Sequence, residues 1–284
     1  MDLKKISDEI KEIVSNRQKE LNLSFVEDTH TYFMKNLQGK IVSNYPSVST
    51  VLKSFYTPFD AESTKSFKNC GGDPEKEKAL LKEWSDSGTY ASHMGSRVHF
   101  ILEDYLVELY GAYKEVRLPI FECDDEQIEN GDSMIVAGKS FLDLMHSRGA
   151  VLLDTEMVLG SPELGYTGQP DKVWLIIGKD GNPGILVTDW KSNKPKNFVS
   201  QFYTKPMLTP FTEYDDTSLG HYYVQLPLYA KLLLNMLKGS KYENIPLLGG
   251  IVVLLKKDAT FEEYRIPKEV LTIVDKMNVS LYLK

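Results

Sequence analysis

Two aspartates and a lysine stand at the ends of two short apolar segments near the middle of the chain. Asp171 follows the turn-like sequence Gly168-Gln169-Pro170 and precedes the first segment, and Asp189 and Lys191 close the second. Carboxylate oxygens are ligands that suit Mg²⁺ or Mn²⁺, and a nearby lysine can hold an attacking water or a charged phosphate. These residue types in this order indicate metal-assisted hydrolysis of a phosphodiester.

The two apolar segments predict a β-hairpin that brings these side chains to one end of a sheet. Val173 to Ile177 and Ile185 to Thr188 are rich in branched aliphatic residues, and glycines and a proline lie between them. Antiparallel pairing returns Asp189 to the level of Asp171, and alternation along the strand places Asp189 and Lys191 on one face. The alternative interpretation is an exposed hairpin with scattered charges.

A histidine and a glutamate lie upstream on a segment with helical periodicity. Apolar residues recur from Val98 to Leu109 with the period of an α-helix, and His99 and Glu103 are one turn apart on one face. A helix packed beside the hairpin would deliver His99 to the aspartates as a ligand, with Glu103 orienting the histidine or the lysines. Such a histidine is also common in an ordinary core or surface.

A second polar pair lies further along the chain, in the apolar run from His221 to Leu234. Gln225 and Tyr229 are one helical turn apart, and both can hydrogen-bond a phosphate or a base edge. They could equally be polar ends in a packing seam. Because Pro227 removes a backbone donor, this helix either starts near Val224 or bends at the proline.

Lysines without an intervening acid follow the hairpin, although the chain as a whole is acidic. Between Trp190 and Pro206 they are Lys191, Lys194, Lys196 and Lys205. This run could track a DNA backbone, with Lys194 and Lys196 binding substrate, or it is an ordinary solvated loop. The net charge of −7 argues against a broad surface that coats nucleic acid.

Four motifs occur in the order found in PD-(D/E)XK nucleases. They are Gly-x-x-x-His-x-x-x-Glu at Gly95 to Glu103, Gly-x-Pro-Asp at Gly168 to Asp171, Asp-x-Lys at Asp189 to Lys191, and Gln-x-x-x-Tyr at Gln225 to Tyr229. The chain resembles the RecB-type exonuclease branch, which includes helicase-linked nuclease domains, CRISPR-associated exonucleases and stand-alone phage enzymes. Residues 28–33 and 46–52 are also similar to the openings of phage-encoded members.

The resemblance implies a role for each motif residue. The implied ligands of Mg²⁺ or Mn²⁺ are His99, Asp171, Asp189 and the backbone carbonyl of Trp190. The implied catalytic residues are the three side-chain ligands and Lys191, and the implied substrate contacts are Gln225 and Tyr229. Glu156, on a strand predicted from Val151 to Leu159, is a further candidate carboxylate.

Two cofactor classes are not expected. Some members of the branch hold an iron–sulfur cluster with four cysteines, whereas this chain has only Cys70 and Cys123, which we expect to be free thiols in a reducing cytoplasm. The sequence Gly138-Lys139-Ser140 lacks the first glycine of a nucleotide-binding loop, so we expect no nucleotide cofactor. A helicase or annealing partner would be a separate protein.

The order of elements predicts an α/β fold. Predicted helices are Leu3 to Leu21, Ser47 to Phe55, Asp60 to Trp84 with a break at 71–74, the His99 helix, Glu126 to Met145, the Gln225 helix and one from Lys268. Beside the strands already named, strands are predicted within Phe25 to Val42 and at Leu248 to Leu255 and Thr260 to Ile266.

The resemblance adds a domain plan to this order of elements. It implies a restriction-endonuclease-like core at residues 90–284, with a mixed central sheet flanked by helices, and an N-terminal α+β elaboration at residues 1–89. Because no apolar run approaches a membrane span and no signal peptide is recognisable, we expect a cytoplasmic protein without a membrane partner.

The predicted function is that of a divalent-metal-dependent DNA exonuclease acting at DNA ends in recombination, repair or phage replication. Two alternatives remain open. A structure-specific endonuclease would share the chemistry, and a catalytically silent module with the nuclease fold would bind DNA or a protein.

Overall fold

The structure is a computed structural model that describes residues 2–43, 45–111, 123–192, 198–199 and 205–283. Its helices are α1 Leu3–Leu21, α2 Val48–Leu52, α3 Lys65–Lys68, α4 Pro74–Tyr110, α5 Asp125–Ser147, α6 Ser218–Met236 and α7 Lys268–Lys276. Its strands are β1 Ser24–Val26, β2 Thr31–Lys35, β3 Ile41–Ser43, β4 Val151–Thr155, β5 Leu159–Ser161, β6 Tyr166–Gly168, β7 Lys172–Ile177, β8 Pro183–Lys191, β9 Leu247–Leu255 and β10 Phe261–Arg265.

A mixed five-stranded sheet lies at the centre, in the order β10-β9-β8-β7-β4. β7 and β8 form the predicted antiparallel hairpin, whereas β8 and β9 run parallel, with α6 between them in the chain. The predicted α/β class, with a mixed sheet flanked by helices, is confirmed.

Helices cover both faces of this sheet, which explains why β7 and β8 are apolar along almost their whole length. Residues of α4 and α5 pack with Trp174 and Trp190 on one face. Residues of α1, α6 and α7 pack with Val173 and Val187 on the other. The alternation of side chains along each strand therefore divides the core into two layers.

The N-terminal region contains the predicted helices α1 and α2, but its strands differ from the prediction and it shares the core of the central sheet. The predicted strand pair is a three-stranded sheet, β1-β2-β3, and the Ser47 side chain caps α2 by accepting from the backbone N–H of Thr50. Ile10 of α1 and Val48 of α2 belong to the same hydrophobic core as the central sheet. The domain boundary predicted between residues 89 and 90 falls inside α4, so the backbone has no break there.

Three predicted element bounds are wrong. The helix predicted from Asp60 begins only at Lys65, as the four-residue α3. The helix predicted up to Trp84 and the His99 helix are one 37-residue helix, α4, which starts at Pro74 and is capped by Asp73. Proline at the first turn favours a start there, and Gly88 is too weak a breaker to end the helix. The strand predicted to run to Leu159 ends at Thr155, because Glu156 adopts a φ of 47°.

Two further features bear on the predicted cofactors and membrane partners. Gly138-Lys139-Ser140 lies inside α5, so these residues form a helical turn rather than a phosphate-binding loop. Among the described residues, no helix combines the length and the apolar character that crossing a membrane requires.

Candidate metal centre

The hairpin ends place two carboxylates together. The last pair between β7 and β8 is Lys172 with Thr188, and beyond it β8 continues through Lys191 with β9 on its other side. Asp171 immediately precedes β7, so it lies beside the overhanging end of β8 that carries Asp189. The predicted convergence of the two aspartates at one end of the sheet is confirmed.

Helix α4 brings a histidine to the same place. Val98 and Leu102 anchor α4 in the core layer that it shares with α5. One turn before His99, a Cβ added to Gly95 would lie 3.1 Å from Ser192 Oγ, so the glycine allows a close approach of α4 to the end of β8. His99 Nε2 is 3.0 Å from the carbonyl oxygen of Trp190.

The three predicted side-chain ligands form one cluster. His99, Asp171 and Asp189 each offer a donor atom, and these atoms lie within 4.8 Å of one another. Asp171 Oδ2 and Asp189 Oδ1 are buried, and within the described part of the chain no N–H or hydroxyl group donates to either oxygen. Buried carboxylate oxygens without donors are costly, and a bound cation would remove that cost.

The protonation of His99 strengthens this fit. Since the Trp190 carbonyl can only accept, Nε2 carries the proton, and the Nδ1 lone pair faces Asp171 Oδ2 at 3.5 Å. Burial lowers the pKa of His99 to about 4, and the raising effect of Asp171 does not offset it, so the ring is neutral at pH 7. Two electron-rich atoms that face each other in this way suit a cation such as Mg²⁺ or Mn²⁺.

The two aspartates respond oppositely to their surroundings. Burial raises the pKa of Asp189, which is 4% exposed, and the negative charge of Asp171 raises it further. Burial also acts to raise the pKa of Asp171, but Lys172 and Lys191 outweigh it and hold that pKa well below its usual range. The acids therefore carry a repulsion that the neighbouring lysines offset in part.

Lys191 is positioned as a fixed cation. Its Nζ lies 2.7 Å from Asp189 Oδ2 and 4.6 Å from the centroid of the Tyr222 ring. Burial lowers the pKa of Lys191, but the charges of Asp189 and Asp171 outweigh burial and raise it above the ordinary value. Lys191 is therefore protonated at neutral pH, so it can orient a water or stabilise negative charge but cannot remove a proton.

Tyr229 of the second polar pair packs against Gly168, in the motif that carries Asp171. Helix α6 begins before Val224, at Ser218, and continues through Pro227. Gln225 Nε2 donates to the Tyr229 hydroxyl at 3.0 Å. A Cβ added to Gly168 would lie 2.7 Å from Tyr229 Cε1, so the absence of a side chain there makes room for the tyrosine ring. The pair thus lies in a packing seam that adjoins the candidate metal centre.

The other two candidate carboxylates lie beside the cluster of His99, Asp171 and Asp189. Glu103 and Glu156 line a neighbouring cavity of about 430 Å³. Glu156 lies beyond the end of β4, although the strand predicted from Val151 to Leu159 included it. Its backbone N–H donates to the carbonyl oxygen of Asp171 at 3.1 Å. Glu103 is buried and acts electrostatically on His99 and on Lys172.

Two residues near the centre were missed by the sequence reasoning, and two predicted ones lie outside the described residues. The missed residues are Lys172 and Tyr222. Lys172 could have been noticed because it is a lysine at the start of an otherwise apolar strand. Lys194 and Lys196 fall in the segment 193–197, which the structure does not describe.

No protein-family model matches the chain, and a search of curated proteins finds no match. The side chains of the candidate metal centre and their contacts are therefore the basis for inferring a function.

Proposed function

We propose that this protein is a divalent-metal-dependent DNA exonuclease with a restriction-endonuclease-like core, of the RecB-type branch of the PD-(D/E)XK superfamily. The observation that carries the proposal is the convergence of His99, Asp171 and Asp189, whose donor atoms lie within 4.8 Å of one another. Lys191 forms a salt bridge with Asp189 at the same place. The sequence motifs that resemble this branch contribute all four residues.

Each residue of the centre has a distinct task in this proposal. His99, Asp171 and Asp189 would hold Mg²⁺ or Mn²⁺, with the Trp190 carbonyl as a further oxygen ligand. The ion would place positive charge beside the phosphate and would lower the pKa of the water bound to it. Lys191, fixed as a cation, would orient the attacking water and stabilise negative charge that develops on the phosphate.

The DNA would approach along α6. Gln225 and Tyr229 would contact the strand near the scissile phosphate, and Lys194 and Lys196 would pair with phosphates further along it. The proposed substrate is a DNA end in recombination, repair or phage replication. A helicase or annealing protein would act as a separate partner.

A structure-specific endonuclease would use the same residues, so the position of cleavage must distinguish it from an exonuclease. The catalytically silent module is disfavoured by electrostatics. Burial and Asp171 together raise the pKa of Asp189, and a module without a metal would be relieved of this cost by losing one aspartate.

The test is hydrolysis of end-labelled single- and double-stranded DNA, with and without a 5′ phosphate, in Mg²⁺ or Mn²⁺. Denaturing gels should show progressive shortening from an end, and discrete internal cuts would instead favour the endonuclease. Asp189→Asn and Lys191→Met should abolish hydrolysis while circular dichroism shows a retained fold. The matched control is Asp180→Asn, which alters an exposed acid in the turn between β7 and β8. Full activity in folded Asp189→Asn would refute the proposal.

A further inference from the structure

Lys172 is a fully buried lysine at the edge of the candidate metal centre. It opens β7, has no exposed surface, and pairs with Thr188 across the hairpin. Its Nζ lies 3.4 Å from the centroid of the Trp190 ring. Lys172 and Trp174 share the face of the sheet that packs against α4 and α5. The ammonium therefore lies on the side of the sheet that packs against α4, the helix that carries His99.

The surroundings of this ammonium are mostly acidic. Nζ is 4.0 Å from Asp171 Oδ2, and it donates no hydrogen bond within the described part of the chain. Beyond Asp171, the negative charges that act on it are those of Glu103, Asp189 and Glu156. A buried lysine charge is costly without compensation. Burial lowers the pKa of Lys172, and the surrounding acids act against that lowering. What favours the charged form is therefore the position of these acids and of the Trp190 ring around the ammonium, rather than one hydrogen-bonded partner.

We propose that Lys172 is a resident counter-cation of the metal centre, a positioning residue that acts through Asp171. It would hold and neutralise the carboxylate in the metal-free protein and oppose the charge of a divalent ion once that ion is bound. The inference rests on the proposed metal centre, because Lys172 can oppose the charge of a metal ion only if that ion binds there.

A purely structural role makes a different prediction. If Lys172 only filled space beneath Trp190, methionine would fill that space with a flexible apolar chain of similar length. Replacing a buried ion by an apolar side chain is then often neutral or stabilising, and metal affinity would not rise. A counter-cation role predicts that removing the charge destabilises the metal-free protein and tightens metal binding.

The experiment measures Mn²⁺ binding by calorimetry, and thermal unfolding in EDTA and in Mn²⁺, for the wild type and Lys172→Met. We expect Lys172→Met to have a lower Tm in EDTA and to bind Mn²⁺ about tenfold more tightly, because a positive charge near the ion is lost. Tenfold tighter binding adds about 1.4 kcal/mol of metal-dependent stabilisation at saturating Mn²⁺, so the deficit in Tm should shrink.

Lys231→Met is the matched control. Its ammonium is partly buried, whereas that of Lys172 is fully buried, and it donates to backbone carbonyls at the end of α7 rather than facing the centre. This variant should lose stability equally in EDTA and in Mn²⁺, with unchanged Mn²⁺ affinity.

The outcomes separate this inference from the proposed function. Absence of Mn²⁺ binding by the wild type would remove the proposed function, and the inference with it. Binding by the wild type with equal or weaker affinity in Lys172→Met would overturn the inference alone. If Lys172→Met is unfolded in EDTA, folding on addition of Mn²⁺ supports the counter-cation role. Lys172→Gln is the second variant. If neither Lys172→Met nor Lys172→Gln folds in Mn²⁺, the counter-cation role is overturned.

Discussion

Substituting Gly168 by alanine should disturb both the stability of the protein and the nuclease activity proposed for it, because this glycine is where α6 and α2 meet the Asp171 motif. The added Cβ would lie 2.7 Å from Tyr229 Cε1 and 2.7 Å from Val48 Cγ2. The backbone at Gly168 is not in the left-handed region, so alanine is allowed there and the effect is steric.

The size of the effect follows from these two contacts. Carbon atoms pack best at about 3.5–4.0 Å, so each contact is short by roughly 0.8–1.3 Å. Val48 is fully buried and cannot move into solvent. Overpacking of this kind costs about 1–3 kcal/mol, which lowers the Tm by roughly 2–10 °C. A shift of the Tyr229 ring beside Asp171 should slow DNA hydrolysis by about 10- to 100-fold.

The assay combines thermal unfolding with hydrolysis of end-labelled DNA under single-turnover conditions. Gly88→Ala is the matched control, because its added Cβ would meet nothing within 4 Å on α4 and should raise stability by about 0.5–1 kcal/mol. Val48→Ala removes Val48 Cγ2, which the added Cβ would crowd. Gly168→Ala should therefore cost less in the Val48→Ala background than alone, with a coupling of about 1 kcal/mol.

The reasoning would be refuted by a Gly168→Ala protein with the Tm and the rate of the wild type. It would also be refuted if the costs of Gly168→Ala and Val48→Ala simply added. Additivity would mean that the loss of stability does not arise from the contact between these residues.

Three further predictions concern other parts of the molecule. Lys231→Met should lower the free energy of unfolding by about 2–3 kcal/mol in urea titrations, because the ammonium donates to three backbone carbonyls at the end of α7. Trp174→Phe should cost about 1–3 kcal/mol in the same assay, because it removes the buried hydrogen bond from Nε1 to Thr188 Oγ1. When free Mn²⁺ is present at about 100 times its Kd, removing it with EDTA should lower the free energy of unfolding of the wild type by about 2.7 kcal/mol. Asp189→Asn should show little of that change in Tm.

Much of the local structure could be predicted from short stretches of sequence. The bounds of α1 agree with prediction because Asp2 caps its first turn and Asn22 ends it in a left-handed conformation. The β7–β8 hairpin agrees because branched aliphatic runs flank a segment rich in glycine. Both outcomes depend on neighbours a few residues apart, which is the range over which sequence patterns act.

Predictions failed where a local pattern permitted more than one outcome. Apolar residues continue from Val151 to Leu159, yet the strand ends where Glu156 takes a positive φ. A helix break near Trp84 was plausible, yet α4 continues to Tyr110. In the first case the backbone turns so that the Glu156 N–H reaches the Asp171 carbonyl, a contact between residues from different elements.

The sequence by itself determined the types of residue at the centre and the elements that carry them: two acids and a lysine on a hairpin, and a histidine on a helix. Only the tertiary structure decided that His99 meets the aspartates within 4.8 Å, that Gly168 makes room for Tyr229, and that Lys172 lies buried beneath Trp190. The physical reason is that helix and strand periodicity act over a few residues. The distance between residues far apart in the chain depends on how two helix layers pack against one sheet.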